Sequence, residues 1–268
     1  MRWSSARGLR RGLYRTRVHV PSVEIEELRS ILGRRRHFIR EKTRQVNAVK
    51  HLLRAAGLAG QARGLTTEKA WSRLLAGLPA GSTLRVFVAA HHALWRCASE
   101  QVAVLEAMLK EHQAPFHDQV ERLRTVPGVG PIVALTAIAA FSDAHRFPTA
   151  KHAASYAGLV ASTYDSGDRV RHGHITKRGS SELRSMLCEA AHQARRVTNP
   201  FHPYFMSVCA RRGYKMAAIA VAHRLCRILW AMMSREVDFD LARLGVEEGR
   251  FEHTIVRRYR RTHEARMA

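Results

Sequence analysis

Ser166 lies in a polar stretch, TYDSGDRVRHGHITKRGSSELR, that occupies residues 163–184. A serine hydroxyl can attack phosphorus, and guanidinium groups can hold a phosphate through paired hydrogen bonds and stabilise the charge that develops during transfer. This combination is therefore chemically competent for phosphoryl transfer. It also suits a loop that only binds phosphate, and residues 165–168 alone have the composition of an ordinary β-turn. The basic and imidazole side chains that follow the serine are Arg169, Arg171, His172, His174, Lys177 and Arg178.

A second candidate for phosphate binding is the glycine-rich sequence PGVGP at residues 127–131, between two predicted helices. In a helix-hairpin-helix element, such a turn lets backbone N–H groups at a helix N-terminus approach a phosphate without interference from a Cβ atom. Contacts of this kind carry no information about base sequence. A turn of the same composition can equally be a plain connection. The candidate phosphate-binding residues here are Gly128, Val129 and Gly130.

The charge of the chain favours a polyanionic partner. Its 268 residues include 45 Lys plus Arg against 22 Asp plus Glu, a formal net charge of +23, while 46% hydrophobic residues are ample for a folded core. Nucleic acid, and DNA first, is the predicted partner. The apolar stretch at residues 216–233 is interrupted by His223, Arg224 and Arg227. No membrane partner is therefore predicted, and the expected location is the cytoplasm.

Metal and disulfide chemistry are not predicted. The four cysteines form no CxxC pair, which argues against a zinc site and a disulfide framework and favours a reducing compartment. His152, His172, His174 and His192 could suggest a metal cluster, but no carboxylate or cysteine lies at ligand spacing. We expect these histidines to be solvated or to contact phosphate. No metal site and no cofactor are predicted in this chain.

Two long amphipathic helices should precede this region. A heptad pattern runs through residues 25–53 and is interrupted by two basic residues, Arg35 and Lys42, with Ser22 as the expected N-cap and Gly57 as the stop. A second pattern runs through residues 84–109. The two could pair as an antiparallel coiled coil or form a helical dimer arm. Between them, one short helix is expected within a glycine-rich connection.

The predicted fold is mainly α: long coiled-coil helices, then a compact helical domain with a helix-hairpin-helix-like element. At most a small β element is expected near Ser166, where YAGLVAS and DRVRHGHI could form short strands. The predicted regions are a remnant of a preceding domain at 1–20, a coiled-coil region at 21–122, a C-terminal domain at 123–240 and a basic tail at 241–268.

Residues 123–196 resemble the C-terminal transposase domain of the IS110 family of insertion sequences. The matching motifs, in order, are PGxGP, RF, YAGL, SG, ITKRG and LR, and GYKMAAIAVAHRLCRILWAMM is similar to the closing helix of that domain. Residues 18–58 also resemble the segment that precedes the family's coiled coil. The likeness covers nearly the whole chain, and the central block is specific.

The resemblance implies a DNA recombinase. Family members join a RuvC-like domain, which carries four acidic Mg²⁺ ligands, to a coiled coil and a serine-bearing domain, and they act as oligomers, some with a structured guide RNA. It implies Ser166 as the nucleophile, with Ser162 as the alternative. The implied partners are DNA, a structured guide RNA, and a second copy or a full-length transposase.

One departure qualifies this expectation. In the family, the acidic domain precedes the segment that corresponds to residues 20–22. Here no aspartate precedes that segment, and the first aspartate of the chain is Asp118. We therefore expect a truncated transposase that does not transpose DNA by itself. The alternatives are a non-catalytic nucleic-acid-binding module or a regulatory partner of a full-length transposase. A basic protein of the ribosome or an organelle would not explain PGVGP or ITKRG.

Overall fold

The computed structural model describes residues 19–166 and 169–244. Most of the predicted remnant at 1–20, most of the predicted tail at 241–268, and Gly167 and Asp168 lie outside the described residues. Within the described ranges the fold is mainly α, as predicted, with one two-stranded sheet. The helices are α1 Val23–Ala55, α2 Glu68–Gly77, α3 Thr83–His112, α4 His117–Arg124, α5 Pro131–Phe141, α6 Ala150–Tyr156, α7 Ser181–Ala191, α8 His202–Arg212 and α9 Tyr214–Arg235. The strands, between α6 and α7, are β1 Ala161–Ser166 and β2 Arg169–Ile175.

The boundaries of α1 confirm the prediction from its capping residues. The Ser22 hydroxyl accepts a hydrogen bond from the backbone N–H of Ile25 at 3.5 Å, and Glu24 and Glu26 place negative charge in the first turn. The chain leaves the helix at Gly57, whose φ of +74° suits a residue without a Cβ atom. Local signals therefore account for both ends of this 33-residue helix.

Helices α1 and α3 pack against each other in antiparallel orientation, and their contacts explain the basic residues that interrupt the heptad pattern. Arg35 donates to Glu106 Oε1 from Nε at 2.9 Å and from Nη2 at 2.7 Å. Lys42 Nζ lies 5.0 Å from the centre of the Trp95 ring, within the range of a cation–π contact. Both interruptions are thus compensated between the helices. Coiled-coil geometry in the strict sense remains a prediction.

The segment between these helices contains the one short helix expected, α2, and a small hydrophobic cluster. Trp71 of α2 is fully buried and stacks on His92 of α3 with ring centres 5.2 Å apart. This cluster closes the end of the helical pair that is distant from the sheet. Its buried members are Val49, Leu53, Leu65, Trp71, Leu74, Leu78, Val88 and Trp95.

The main core lies at the other end of the helical pair. Helix α5 is buried from residue 134 to residue 141, and it contacts α1, α4 and α7. The start of α1, with Leu28, and the end of α3, with Leu109, belong to the same cluster. This core draws residues from both sides of residue 123. The domain boundary predicted at that residue remains a prediction.

Helix α9 is long and apolar enough, by length and composition, to cross a membrane. Half of that stretch is buried inside the protein, where α9 contacts α6, α7 and α8. Core packing therefore explains its apolar character. Cys226 on this helix is completely buried, and burial raises the pKa of its thiol to about 12.

The sheet is a hairpin, as expected near Ser166. Residues 169–175, RVRHGHI, form a strand, which confirms that part of the prediction. YAGLVAS does not form a strand along its length: Tyr156 ends α6, Gly158 has a φ of +67°, and β1 begins only at Ala161. The left-handed backbone at Gly158 turns the chain, so the strand begins after this turn.

Candidate nucleic-acid interface

The hairpin places Ser166 at its tip. β1 and β2 are antiparallel, and Ser166 is paired with Arg169 on either side of a two-residue connection. Between residues 163 and 172 the structure describes the strands but not the side chains, so the side chains of Ser166, Arg169 and Arg171 lie outside the described part. The strands contact each other far more than they contact any other element. The candidate nucleophile therefore stands at the end of a projecting hairpin.

Ser162, the alternative nucleophile, lies at the base of the same hairpin. The strand register shifts between Ala161 and Thr163, where Ser162 alone faces Gly173 and His174, so the extra residue of the bulge lies on β2. Its hydroxyl donates to the carbonyl oxygen of His174 at 2.9 Å. Ser162 thus supports the strand pair, whereas Ser166 occupies the tip.

Two glycine turns hold the base of the hairpin. The amide of Ser180 donates to the carbonyl oxygen of Tyr156 at 2.9 Å, and the amide of Lys177 donates to that of Gly158 at 3.2 Å. A Cβ atom on Gly158 would lie 2.6 Å from the carbonyl oxygen of Arg178, and one on Gly179 would overlap the carbonyl of Tyr156. We call this contact between residues 156–158 and 177–180 the glycine clasp.

Helix α7 anchors the glycine clasp. Ser180 is its N-cap and accepts a hydrogen bond from the amide of Leu183 at 3.2 Å. Arg184, one turn into the helix, donates from Nη1 to the carbonyl oxygen of Ala157 at 3.0 Å. Lys177 and Arg178 are exposed on the outside of the clasp. Lys177 and Arg178, which we call the basic block, are therefore fixed between the hairpin and α7.

The PGVGP turn connects α4 and α5, as predicted, and it packs on the other end of α7. Gly128 has a φ of +92°, and a Cβ atom there would lie 2.9 Å from the carbonyl oxygen of Ala190. Val129 is 1% exposed, and its amide donates to the carbonyl of Val126 at 3.0 Å. Gly130 is the N-cap of α5. Both Gly128 and Val129 therefore serve the packing of the fold.

The predicted phosphate-binding residues fall at two separate places. Gly128 lies beside the C-terminal end of α7, whereas Lys177 and Arg178 precede its N-terminal end. Since α7 has 11 residues, the two ends are about 16 Å apart at 1.5 Å per residue. The structure does not bring the PGVGP turn and the basic block into one site.

The described residues show no cluster of side chains with the composition of a metal site. Across residues 19–166 and 169–244, no group of three or more His, Cys, Asp or Glu side chains converges in a way that could hold a metal ion. His152 hydrogen-bonds to Thr149 at 2.9 Å, and His192 to Tyr214 at 2.8 Å. The Mg²⁺ implied by the family resemblance therefore has no fitting ligand set in this part of the chain.

Comparison with known proteins identifies relatives of this chain. A family model described as "Transposase IS116/IS110/IS902 family" matches residues 120–206. A "Probable family 20 transposase" of Pseudomonas aeruginosa is 31% identical over 230 residues, covering 82% of this chain and 67% of the relative. The chain belongs to the IS116/IS110/IS902 transposase family. This confirms the resemblance inferred from its motifs.

Further relatives show how much of a full-length protein the chain represents. The "Transposase for insertion sequence element IS1111A" of Coxiella burnetii is 26% identical over 82% of this chain and 62% of its own length. A "Pilin gene-inverting protein" of Moraxella bovis is 31% identical over 44% of this chain and 38% of its own length. A "Putative transposase y4pF/y4sB" of Sinorhizobium fredii is 29% identical over 76% of this chain and 54% of its own length, so the chain spans about half to two thirds of these three transposases.

The residues matched by the IS116/IS110/IS902 model run from α4 into α8, and so include the PGVGP turn, the hairpin and the glycine clasp. Gly158, Gly179 and Arg184 position the hairpin, a role that their places in the sequence did not indicate. The two glycines lie in the YAGL and ITKRG motifs, and these motifs were the sequence feature that could have indicated their role. Their pairing is a contact between distant segments, which spacing alone does not indicate.

Proposed function

We propose that this chain binds DNA and serves as the serine-bearing part of an insertion-sequence recombinase. The observation that carries the proposal is the place of Ser166, at the tip of a projecting hairpin whose base is fixed by the glycine clasp. The relatives named as transposases and as pilin gene-inverting proteins support a role in DNA rearrangement. A cytoplasmic location fits this role.

The chemistry proposed for Ser166 is transfer of a phosphodiester. Its Oγ attacks phosphorus, a P–O bond to the serine forms, and the P–O bond to one deoxyribose oxygen breaks. The serine proton passes to the departing oxygen, which leaves as a hydroxyl, and the DNA end remains attached as a phosphoserine ester. The ester keeps the energy of the broken linkage, so a deoxyribose hydroxyl of another strand can reverse the step and join new ends.

The basic residues would hold the DNA around this reaction. Lys177 and Arg178 are exposed beside the base of the hairpin, and Arg169 and Arg171 belong to its second strand. The guanidinium groups form paired hydrogen bonds with phosphate oxygens and the Lys177 ammonium adds a point charge, so these residues suit the backbone on either side of the attacked phosphate. Contacts with phosphates do not distinguish one base sequence from another. The choice of target would therefore depend on other determinants, such as a structured guide RNA or a partner copy.

The test combines binding and covalent capture on one preparation. Fluorescence anisotropy would measure affinity for a duplex insertion-sequence end, with and without structured RNA. Denaturing electrophoresis of a labelled, nicked version of that duplex would then detect DNA covalently attached to protein. We expect duplex binding that weakens with salt, and an adduct that Ser166→Ala abolishes and Ser162→Ala retains.

The other outcomes discriminate between functions. An adduct that survives in Ser166→Ala but not in Ser162→Ala would identify Ser162 as the nucleophile. Duplex binding without any adduct would favour the second function, a non-catalytic partner of another transposase. A wild-type chain that does not bind duplex DNA even at low salt would overturn the proposed function.

A further inference from the structure

Helix α1 crosses the N-terminal end of α7 beside the glycine clasp. Arg36 of α1 donates from Nη1 to the hydroxyl of Ser181 at 3.1 Å. Arg40 follows one turn later on the same face of α1 and is exposed. We call the surface formed by Arg36, Arg40, Lys177 and Arg178 the α1–α7 basic surface. It lies at the same end of α7 as the hairpin.

Positive charge on this surface exceeds the neighbouring negative charge. The pKa of Arg36 is lowered by its partial burial and then by repulsion from Arg40 and Arg184, while Glu182 acts in the opposite direction. Glu182 also faces Arg35, which is already paired with Glu106. Guanidinium groups held close together, with one shared carboxylate between them, favour an added anion.

A cleft of about 470 Å³ lies between α1 and the clasp, and it gives this surface a concave edge. Arg29, Tyr156, Gly179 and Glu182 are among its lining residues. Arg29 is engaged within the protein, because its Nε donates to the carbonyl oxygen of Ala139 at 2.7 Å. Arg36 and Arg40 are therefore the α1 side chains best placed to reach a ligand outside the cleft.

We propose that the α1–α7 basic surface binds the phosphodiester backbone of duplex DNA and holds the DNA that flanks the strand presented to the hairpin. This inference rests on the proposed function and adds a specific contact from the long helix. α1 is a rod about 50 Å long, so its arginines can contact a duplex that runs past the hairpin base. Arginine suits this role, because its planar donors match two phosphate oxygens at once.

The test compares two double variants of equal charge. Arg36→Ala/Arg40→Ala removes two cations from the surface. Arg34→Ala/Arg73→Ala removes two exposed cations from elsewhere: Arg34 points about 160° away from Arg36 on α1, and Arg73 lies on α2, at the other end of the helical pair. Duplex affinity is measured by anisotropy from 50 to 300 mM salt, with thermal unfolding by circular dichroism as the control for folding.

We expect the Arg36→Ala/Arg40→Ala variant to bind duplex DNA about tenfold more weakly at 150 mM salt. Its plot of log affinity against log salt should be shallower by about 2, since each lost phosphate contact removes about 0.9. The control variant should change much less. Equal affinity and slope in the two variants, with wild-type binding intact, would overturn this inference and leave the proposed function standing.

Two further outcomes are decisive. If the Arg36→Ala/Arg40→Ala variant loses affinity for structured RNA but keeps its affinity for duplex DNA, the surface serves RNA and the proposal for DNA is wrong. If the wild-type chain itself does not bind duplex DNA, the proposed function and this inference, which rests on it, are both wrong.

Discussion

Gly179 packs directly against the backbone of Tyr156. The amide of the next residue, Ser180, donates to the Tyr156 carbonyl at 2.9 Å, and there is no room for a Cβ atom on Gly179. Two motifs separated by the whole hairpin thus meet at backbone distance. Ser180 is also the N-cap of α7, so the same contact fixes the hairpin and begins the helix.

The first prediction concerns this contact. Gly179→Ala should lower the free energy of unfolding by about 2–4 kcal/mol, because alanine meets both a φ of +110° and the Tyr156 carbonyl. Gly57→Ala is the matched control: Gly57 has a φ of +74° with open space around it, so the expected loss is about 1 kcal/mol. Urea unfolding monitored by circular dichroism measures both. Equal losses would show that the clasp adds nothing beyond the backbone angle.

The second prediction separates backbone from charge at Lys177, a non-glycine residue with a φ of +53°. Lys177→Gly should be about 1 kcal/mol more stable than Lys177→Ala, because only glycine adopts this conformation without a steric cost. Both variants lose the same ammonium group, so their duplex affinities should fall equally. Urea unfolding and anisotropy provide the two measurements, and a difference in affinity between the variants would argue that backbone shape, not charge, governs binding.

The third prediction concerns Glu182, whose pKa is raised mainly by burial, although Arg36 and Arg40 act to lower it. A raised folded pKa means that this group contributes stability at low pH, which is lost as the pH rises through that pKa. Glu182→Gln should therefore retain stability at pH 7.5. It should also bind duplex DNA about three- to fivefold more tightly, because the arginines lose a competing carboxylate.

The control for this variant is Glu189→Gln, which removes the same charge from an exposed position near the other end of α7. Anisotropy at a fixed salt concentration compares the two. If both variants gain affinity equally, the effect reflects net charge and not the position of Glu182.

The fourth prediction concerns acid stability. Burial, and then Arg227, lower the pKa of His223 on α9. Because the unfolded chain binds this proton more readily, stability is present above the unfolded pKa of about 6.5 and is lost as the pH falls below it. His223→Gln should lose less stability than wild type between pH 7.5 and 5.5, as measured by urea midpoints. His174→Gln, at an exposed position on β2, should behave as wild type.

The two long helices could be predicted because their signals are local. Ser22 and Ser82 each accept a hydrogen bond from the backbone N–H three residues later, and the apolar residues repeat with helical spacing. The pairing of Arg35 with Glu106 could not be predicted, because the partner lies 71 residues away. An interruption in a heptad pattern does not identify the residue that compensates it.

The candidate site was predicted in part. The sequence indicated the basic block and a β element near Ser166, and the hairpin confirms the β element. It also grouped the PGVGP turn with the basic block as phosphate-binding candidates, although the two lie at opposite ends of α7. Residue type indicates affinity for phosphate, but it does not indicate whether two such segments share one surface.

The sequence alone determined the mainly α fold, the ends of the long helices and membership of the transposase family, because caps, periodicity and motifs are encoded in neighbouring residues. The tertiary structure decided that YAGL and ITKRG form one clasp, and that Arg36 of α1 reaches Ser181 of α7 across 145 residues of chain. The physical reason is that these contacts depend on how buried helices pack in the core. Packing brings together segments whose separation along the chain carries no information about their distance in space.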